Sequence, residues 1–154
     1  MVSRRKIKDP EVGSIVELPL PDGRLGYARA LKFPLMAFYA LSAESTPQLS
    51  EILGQPIAFK VWIMASAVSS GRWRVVGWAP LEPELAIAPW FFKQDIISKR
   101  LSLYQAGTER PATREQCAGL ERAAVWSAHH AESRLDDHLH GRPNKWHDAM
   151  KLEA

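Results

Sequence analysis

The sequence predicts an α+β domain: a strongly bent, mainly antiparallel, barrel-like sheet of about five to seven strands, covered by one long C-terminal α-helix. Three observations point to it. Most of the first part of the 154-residue chain consists of short β-branched and aromatic runs separated by turn residues. One of these runs has a face of small residues, which suits tight curvature or close approach by another backbone. A long stretch after Thr113 then repeats apolar residues at spacings of three and four.

The strands begin in "GSIVELPLPDGRLGYARAL". Two runs, Ser14 to Leu20 and Leu25 to Leu31, flank the turn tripeptide Pro21-Asp22-Gly23: proline fixes φ, aspartate bonds its own backbone and glycine takes positive φ. In the second run Gly26, Ala28 and Ala30 share one face, and Leu25, Tyr27 and Arg29 the other. Leu35 to Leu41 is a third strand candidate. In "STPQLSEILGQ", Thr46 is placed to cap a short helix with Pro47 at its first position and Gly54 as its stop. Ile57 to Ser66 reads as a central strand, from which "SSGRW" turns the chain so that Arg72 to Trp78 returns antiparallel to it. Pro80, Pro83 and Pro89 mark "APLEPELAIAPWFFKQD" as an irregular connection, and "IISKRLSLY" supplies one or two last short strands.

The helix is expected from about Thr113 to His140. Thr113 and Gln116 make a capping box, and Gly141 with Pro143 supplies the stop. Between them Cys117, Leu120, Ala124, Ala128, Ala131, Leu135 and Leu139 form one apolar stripe. Its alanines let the helix lie close to the sheet. The opposite face carries Arg122, Trp126, His129, Ser133 and Asp137. An aromatic beside arginine and histidine is a common composition for a binding anchor, so these five residues are the candidate partner-binding set. The competing account packs Trp126 under the segment "NKWHDAMKL", against Trp146.

Composition narrows the function. Hydrophobic residues at 46% and charged residues at 24% are ordinary for a soluble protein with one core. Residues 1–10 are expected to be a flexible basic tail and residues 11–154 one domain. Arg4, Arg5, Lys6 and Lys8 against Asp9 account for the whole net charge of +3, so the remainder is neutral. No apolar run is long enough to span a bilayer and no signal-peptide pattern opens the chain, so a membrane partner is not expected. With Cys117 alone, an intrachain disulfide and a four-cysteine zinc site are both excluded; a reducing cytoplasm is the simplest home.

Catalytic signatures are weak. Ser69 to Gly71 is a turn without the G-x-S-x-G context, Cys117 lies on the core stripe, and Gly13, Gly23 and Gly26 make no nucleotide-binding pattern. His129 with Glu132, and Asp136 with His140, have the spacing of a helical metal pair. Yet H-E-x-x-H is absent and no third ligand follows, so no metal, cofactor or catalysis is expected. A metal-dependent hydrolase built on this helix is the weakest alternative. A small nucleic-acid-binding barrel is the stronger one. It needs Trp62, Trp73 and Trp78 exposed beside Arg72 and Arg74, and no RNP-like motif supports it.

The order of segments resembles the immunity protein 26 family of bacterial polymorphic toxin systems. The resemblance rests on "GSIVELPLPDGRLGYARAL", "AFYAL", "RWRVVGWAPL" and above all "GLERAAVWSAHHAESRLDDHLHGRPNKW", and spans roughly residues 11 to 147. In the last segment it lies in Gly119, Leu120, Glu121, Ala124, Val125, Trp126, Glu132, Arg134, Leu135 and Asp137. It implies a cytoplasmic, non-catalytic antidote that binds and blocks a cognate toxin domain. Neutrality beyond the tail argues against a globally acidic decoy, leaving local acids such as Glu132, Asp136 and Asp137, or shape blocking through an aromatic-centred patch.

Overall fold

Residues 7–152 are described by the structure, a computed structural model; Arg4, Arg5 and Lys6 of the basic tail lie outside them. The chain runs β1 (Ser14–Pro19), β2 (Leu25–Ala30), β3 (Leu35–Ala43), α1 (Leu49–Leu53), β4 (Ile57–Ile63), α2 (Ser66–Ser69), β5 (Arg74–Trp78) and α3 (Pro83–Ala86). It continues with β6 (Phe91–Gln94), β7 (Leu101–Gln105), β8 (Thr108–Pro111), α4 (Arg114–Cys117), β9 (Glu121–Arg122), β10 (Val125–Trp126), α5 (Ala128–Leu139) and α6 (Lys145–Met150). The α+β class holds, but the single bent barrel does not. Among the described residues there are two open sheets, one ordered β10-β4-β3-β2-β1-β5 and the other β8-β7-β6-β9. Every pairing is antiparallel except β10 with β4 and β6 with β9.

Strand alternation sorts the larger sheet into two buried faces. Val16, Leu18, Ala28, Ala30, Met36, Phe38, Phe59 and Val61 point to one side, where Ala131 and Leu135 of α5 complete the core. The helix packs tightly on the small-residue face of β2: a Cβ on Gly26 would lie 2.8 Å from Leu135 Cδ2. On the other side Ile15, Tyr27 and Tyr39 meet Ile52 of α1. Leu31, Leu35 and Ala37 form a separate cluster with Leu85 and Phe91, which joins this sheet to the second one. Trp62 seals that junction, its ring 4.1 Å from Phe91 and 5.6 Å from Tyr104.

Three expectations need correction. The long helix is broken. Its capping box is present, Thr113 accepting from the Gln116 N–H, but it opens a single turn. Gly119, at φ +77°, ends that turn. Residues 121–126 are then extended and bridge the sheets: Glu121–Arg122 pair with Phe91–Phe92, and Val125–Trp126 with Trp62–Ile63. A new helix starts only where Ser127 caps it, its hydroxyl accepting from His130 N–H. The stripe is divided accordingly. Cys117 and Leu120 pack with Phe92 and Leu103, whereas Ala128, Ala131, Leu135 and Leu139 pack on the larger sheet. Gly141 stops the helix as expected, at φ +67°.

Second, β5 does not return beside β4. The turn of α2 redirects it across the sheet, and it pairs with β1. Third, Thr46 caps nothing. Gln48 is the N-cap of α1, and the Thr46 hydroxyl donates to Glu17 instead.

Candidate functional site

The acidic and basic residues of the helical segment are mostly engaged within the fold. Glu132, on the sheet side of α5, is buried. Its carboxylate accepts from Arg72 Nε and Nη2, each at 2.7 Å, and from Trp73 Nε1 at 2.7 Å. Arg134 reaches Glu121 through both terminal nitrogens and lies over the rings of Phe59 and Trp126, at 4.0 and 5.1 Å. Across the larger sheet, Glu17 accepts from Tyr27 at 2.9 Å, from Thr46, and from Arg74 at 2.8 and 3.0 Å. Burial alone would raise the Glu17 carboxyl, but the hydrogen bonds from Thr46, Arg74 and Tyr27 outweigh it and hold it below its ordinary range. Arg29, wholly buried, is bound by the carbonyls of Gly13, Ala79 and Pro80, the Tyr39 hydroxyl and Glu82. These contacts fix elements to one another. They also remove Glu132 as an exposed acidic lure.

The five residues expected on one helix face do not share one. Arg122 is on β9, where its Nε donates to the Met150 carbonyl at 2.9 Å and its guanidinium covers Phe92. Trp126 is on β10 and only 4% exposed, inside the main core. It does not stack on Trp146, whose ring lies against His130 at 3.8 Å. Ser133 and Asp137 both accept from Asn144, at 3.3 and 2.9 Å, which in turn caps α6. His129 alone of the five is exposed, with Nδ1 3.4 Å from Arg72 Nη2. Four of the five thus hold the core or the C-terminal segment in place.

The tryptophan platform required for nucleic acid is also not assembled. Trp73 is buried, Trp62 is packed between the sheets, and Arg72 and Arg74 are paired with carboxylates. Trp78 is exposed, but its indole donates to the Val12 carbonyl at 2.9 Å and it has neither of the other two tryptophans beside it on the surface. Cys117 is buried as expected, and burial pushes its thiol up, away from the reactive thiolate.

The most conspicuous surface feature lies elsewhere, at the tip joining β6 and β7. Ile96 and Ile97 are 86% and 94% exposed. Single exposed apolar residues are ordinary, but two adjacent isoleucines held this far into water lose the favourable burial of both side chains. The tip is stiff. Asp95 accepts from the backbone N–H groups of Ile97 and Ser98 at 2.9 and 2.7 Å, which lowers its carboxyl pKa. Asp95 and Arg100 close the base at 2.9 Å, and Lys99 takes φ 62°. A groove of about 580 Å3 runs beside it, lined by Lys93, Arg100 and Arg110 together with Asp95 and Glu109. Consecutive isoleucines predict a strand here; the Asp95…Ser98 spacing is the sequence signal for the turn that the structure shows instead.

Among the described residues, Asp22, Asp136 and His140 form a group with metal-ligand proximity. Burial and the nearby Asp22 push the Asp136 carboxyl above its ordinary range. None of the described helices is long and apolar enough to cross a membrane.

The chain belongs to the immunity protein 26 family: the model described as Immunity protein 26 matches residues 11–103. The match takes in β1 to β6 and the exposed tip, and stops before the C-terminal segment that carries much of the resemblance. No curated protein and no solved structure matches the chain.

Proposed function

We propose that this protein is a cytoplasmic immunity protein that neutralises a cognate bacterial toxin domain by binding it, without catalysis. Family membership over residues 11–103 is the observation that carries this reading. Ile96 and Ile97 are its primary contact, because burying both against a partner recovers the favourable transfer their exposure forgoes. Rigidity at Asp95 lowers the ordering cost of docking. The adjacent groove carries groups of both signs, Lys93, Arg100 and Arg110 with Asp95 and Glu109, and so suits a mixed polar rim on the partner. Of the face predicted from sequence, His129 is the member left for a peripheral contact.

The test is calorimetric titration with the toxin domain encoded beside this protein's gene. Ile96→Asp with Ile97→Asp should weaken the complex by at least about a hundredfold, as expected for two apolar anchors, and leave the melting temperature unchanged. His129→Ala should weaken it only slightly. Unchanged affinity in the double variant would move the contact surface elsewhere. No binding and no neutralisation by the wild-type protein would end the antidote reading.

A further inference from the structure

The turn between β1 and β2 brings Asp22 against the C-terminal end of α5, where it meets Asp136 and His140. One ligating atom from each lies within 4.8 Å of the other two. Helical spacing supplies only the pair Asp136 and His140; the third member arrives from a turn far earlier in the chain. We propose that Asp22, Asp136 and His140 bind a divalent transition-metal ion, with zinc the best fit, clasping the β1–β2 turn to the end of α5. This goes beyond toxin binding and does not depend on it.

Each residue presents an atom suited to the task. Asp136 is 5% exposed. One of its oxygens, Oδ2, accepts from Arg142 at 3.1 Å; the other, Oδ1, is buried and makes no hydrogen bond, with His140 Nδ1 3.4 Å away. An unpaired carboxylate oxygen is costly to bury, and a cation is the strongest partner it can receive. His140 Nδ1 lies 2.8 Å from the Asp136 carbonyl oxygen, to which only an N–H can bond. That assignment leaves the lone pair on Nε2, which faces Asp22 Oδ2 at 3.7 Å. A ligating histidine is usually held in this way, its second nitrogen donating to a carbonyl. Asp22 Oδ1 is taken by the Arg24 N–H at 2.9 Å, so Oδ2 is the oxygen turned toward the imidazole.

The donor set selects the ion. One imidazole and two carboxylates suit zinc and its neighbours, whereas magnesium and calcium prefer all-oxygen shells. Bonds of about 2.1 Å to a tetrahedral ion place ligand atoms roughly 3.4 Å apart, so the group closes by about 1 Å on binding. Asp22 and His140 have room for this, their side chains being 24% and 44% exposed. The competing account is a protonated His140 bridging the two carboxylates, which requires no ion.

Untagged protein, stripped with chelator, is titrated with zinc and separately with magnesium. Saturable binding of one zinc per chain, with a raised melting temperature and much weaker magnesium binding, is expected. Asp22→Asn and His140→Ala should each weaken zinc at least tenfold, while His138→Ala leaves it unchanged. Asp22→Asn is the decisive variant, because its amide oxygen still accepts from Arg24 N–H and preserves the turn. Absence of one-to-one binding, magnesium binding equal to zinc, or unaltered zinc affinity in both ligand variants would overturn the site. The protonated-imidazole account would then explain the cluster.

Discussion

Arg72 grips Glu132 through Nε and Nη2, both at 2.7 Å, and so ties the segment before β5 to the buried side of α5. The pair is asymmetric: the arginine side chain is 38% exposed and the glutamate 4%. Removing the arginine leaves a buried carboxylate with only the Trp73 N–H, whereas removing the glutamate frees an arginine to reach water. Arg72→Ala should therefore cost about 2–3 kcal/mol, below the roughly 3–5 kcal/mol of a fully buried pair because solvent screens the arginine. Adding Glu132→Gln should recover part of the loss. Urea unfolding of both variants checks it; a double variant less stable than the single one would refute the asymmetry.

Trp126→Ala should cost about 3–5 kcal/mol, as expected for a large aromatic removed from a core, and leave the affinity of the folded fraction for the toxin unchanged. His129→Ala should change stability by less than about 0.5 kcal/mol, as surface substitutions do. Thermal melts alongside titrations separate the two effects. A Trp126→Ala protein with normal stability and lost binding would return this residue to the interface.

Gly26 and Leu135 should be energetically coupled. A Cβ at Gly26 would meet Leu135 Cδ2 at 2.8 Å and Leu20 Cδ2 at 3.0 Å. Gly26→Val should overpack the helix–sheet contact at about 1–3 kcal/mol. Leu135→Ala should cost about 2–5 kcal/mol on its own. Together they should cost less than their sum, because the alanine makes room for the valine. A double-mutant cycle measures this directly, and strict additivity would mean the two residues do not touch.

Glu17 should contribute to acid sensitivity. Its folded-state pKa is lowered from the ordinary 4.5 by hydrogen bonds that overcome burial, so the folded state favours the ionised form. The associated stability is present above that ordinary value and is lost as pH falls through the lowered folded value. The stability advantage of wild type over Glu17→Gln should therefore shrink as pH falls below the ordinary value of 4.5. A gap that stays constant or widens on acidification would contradict the direction of the shift.

The sheet was the legible part of this sequence. Ser14–Pro19, Leu25–Ala30 and Leu35–Ala43 follow an apolar alternation and a Pro-Asp-Gly turn, both local signals. The break after Cys117 was not, because spacings of three and four also occur by chance in two short helices joined by extended chain. Gly119 was the local clue, and the bridging of two sheets by residues 121–126 is a tertiary requirement that periodicity does not encode. The crossing of β5 to β1 had the same origin: its partner, Glu17 beneath Arg74, is remote in sequence. The five polar-side residues do not form one face because Arg122 and Trp126 lie on strands, and only His129, Ser133 and Asp137 are helical. The exposed isoleucine tip escaped notice because consecutive isoleucines look like strand until the Asp95 side chain is seen to fold them into a turn.

The short pairing of Val125–Trp126 with Trp62–Ile63 also sets the order in which a ribosome can deliver this fold. When β4 emerges, the edge it shares with β10 has no neighbour, and the aromatic core beneath α5 is uncovered. Both gaps persist until residues 125–139 leave the exit tunnel. A nascent chain stalled before Trp126 therefore presents a bare strand edge beside an apolar face, the combination that recruits like strands from other chains. Synthesis through α5 is what gives the end of β4 its partner and covers the apolar face.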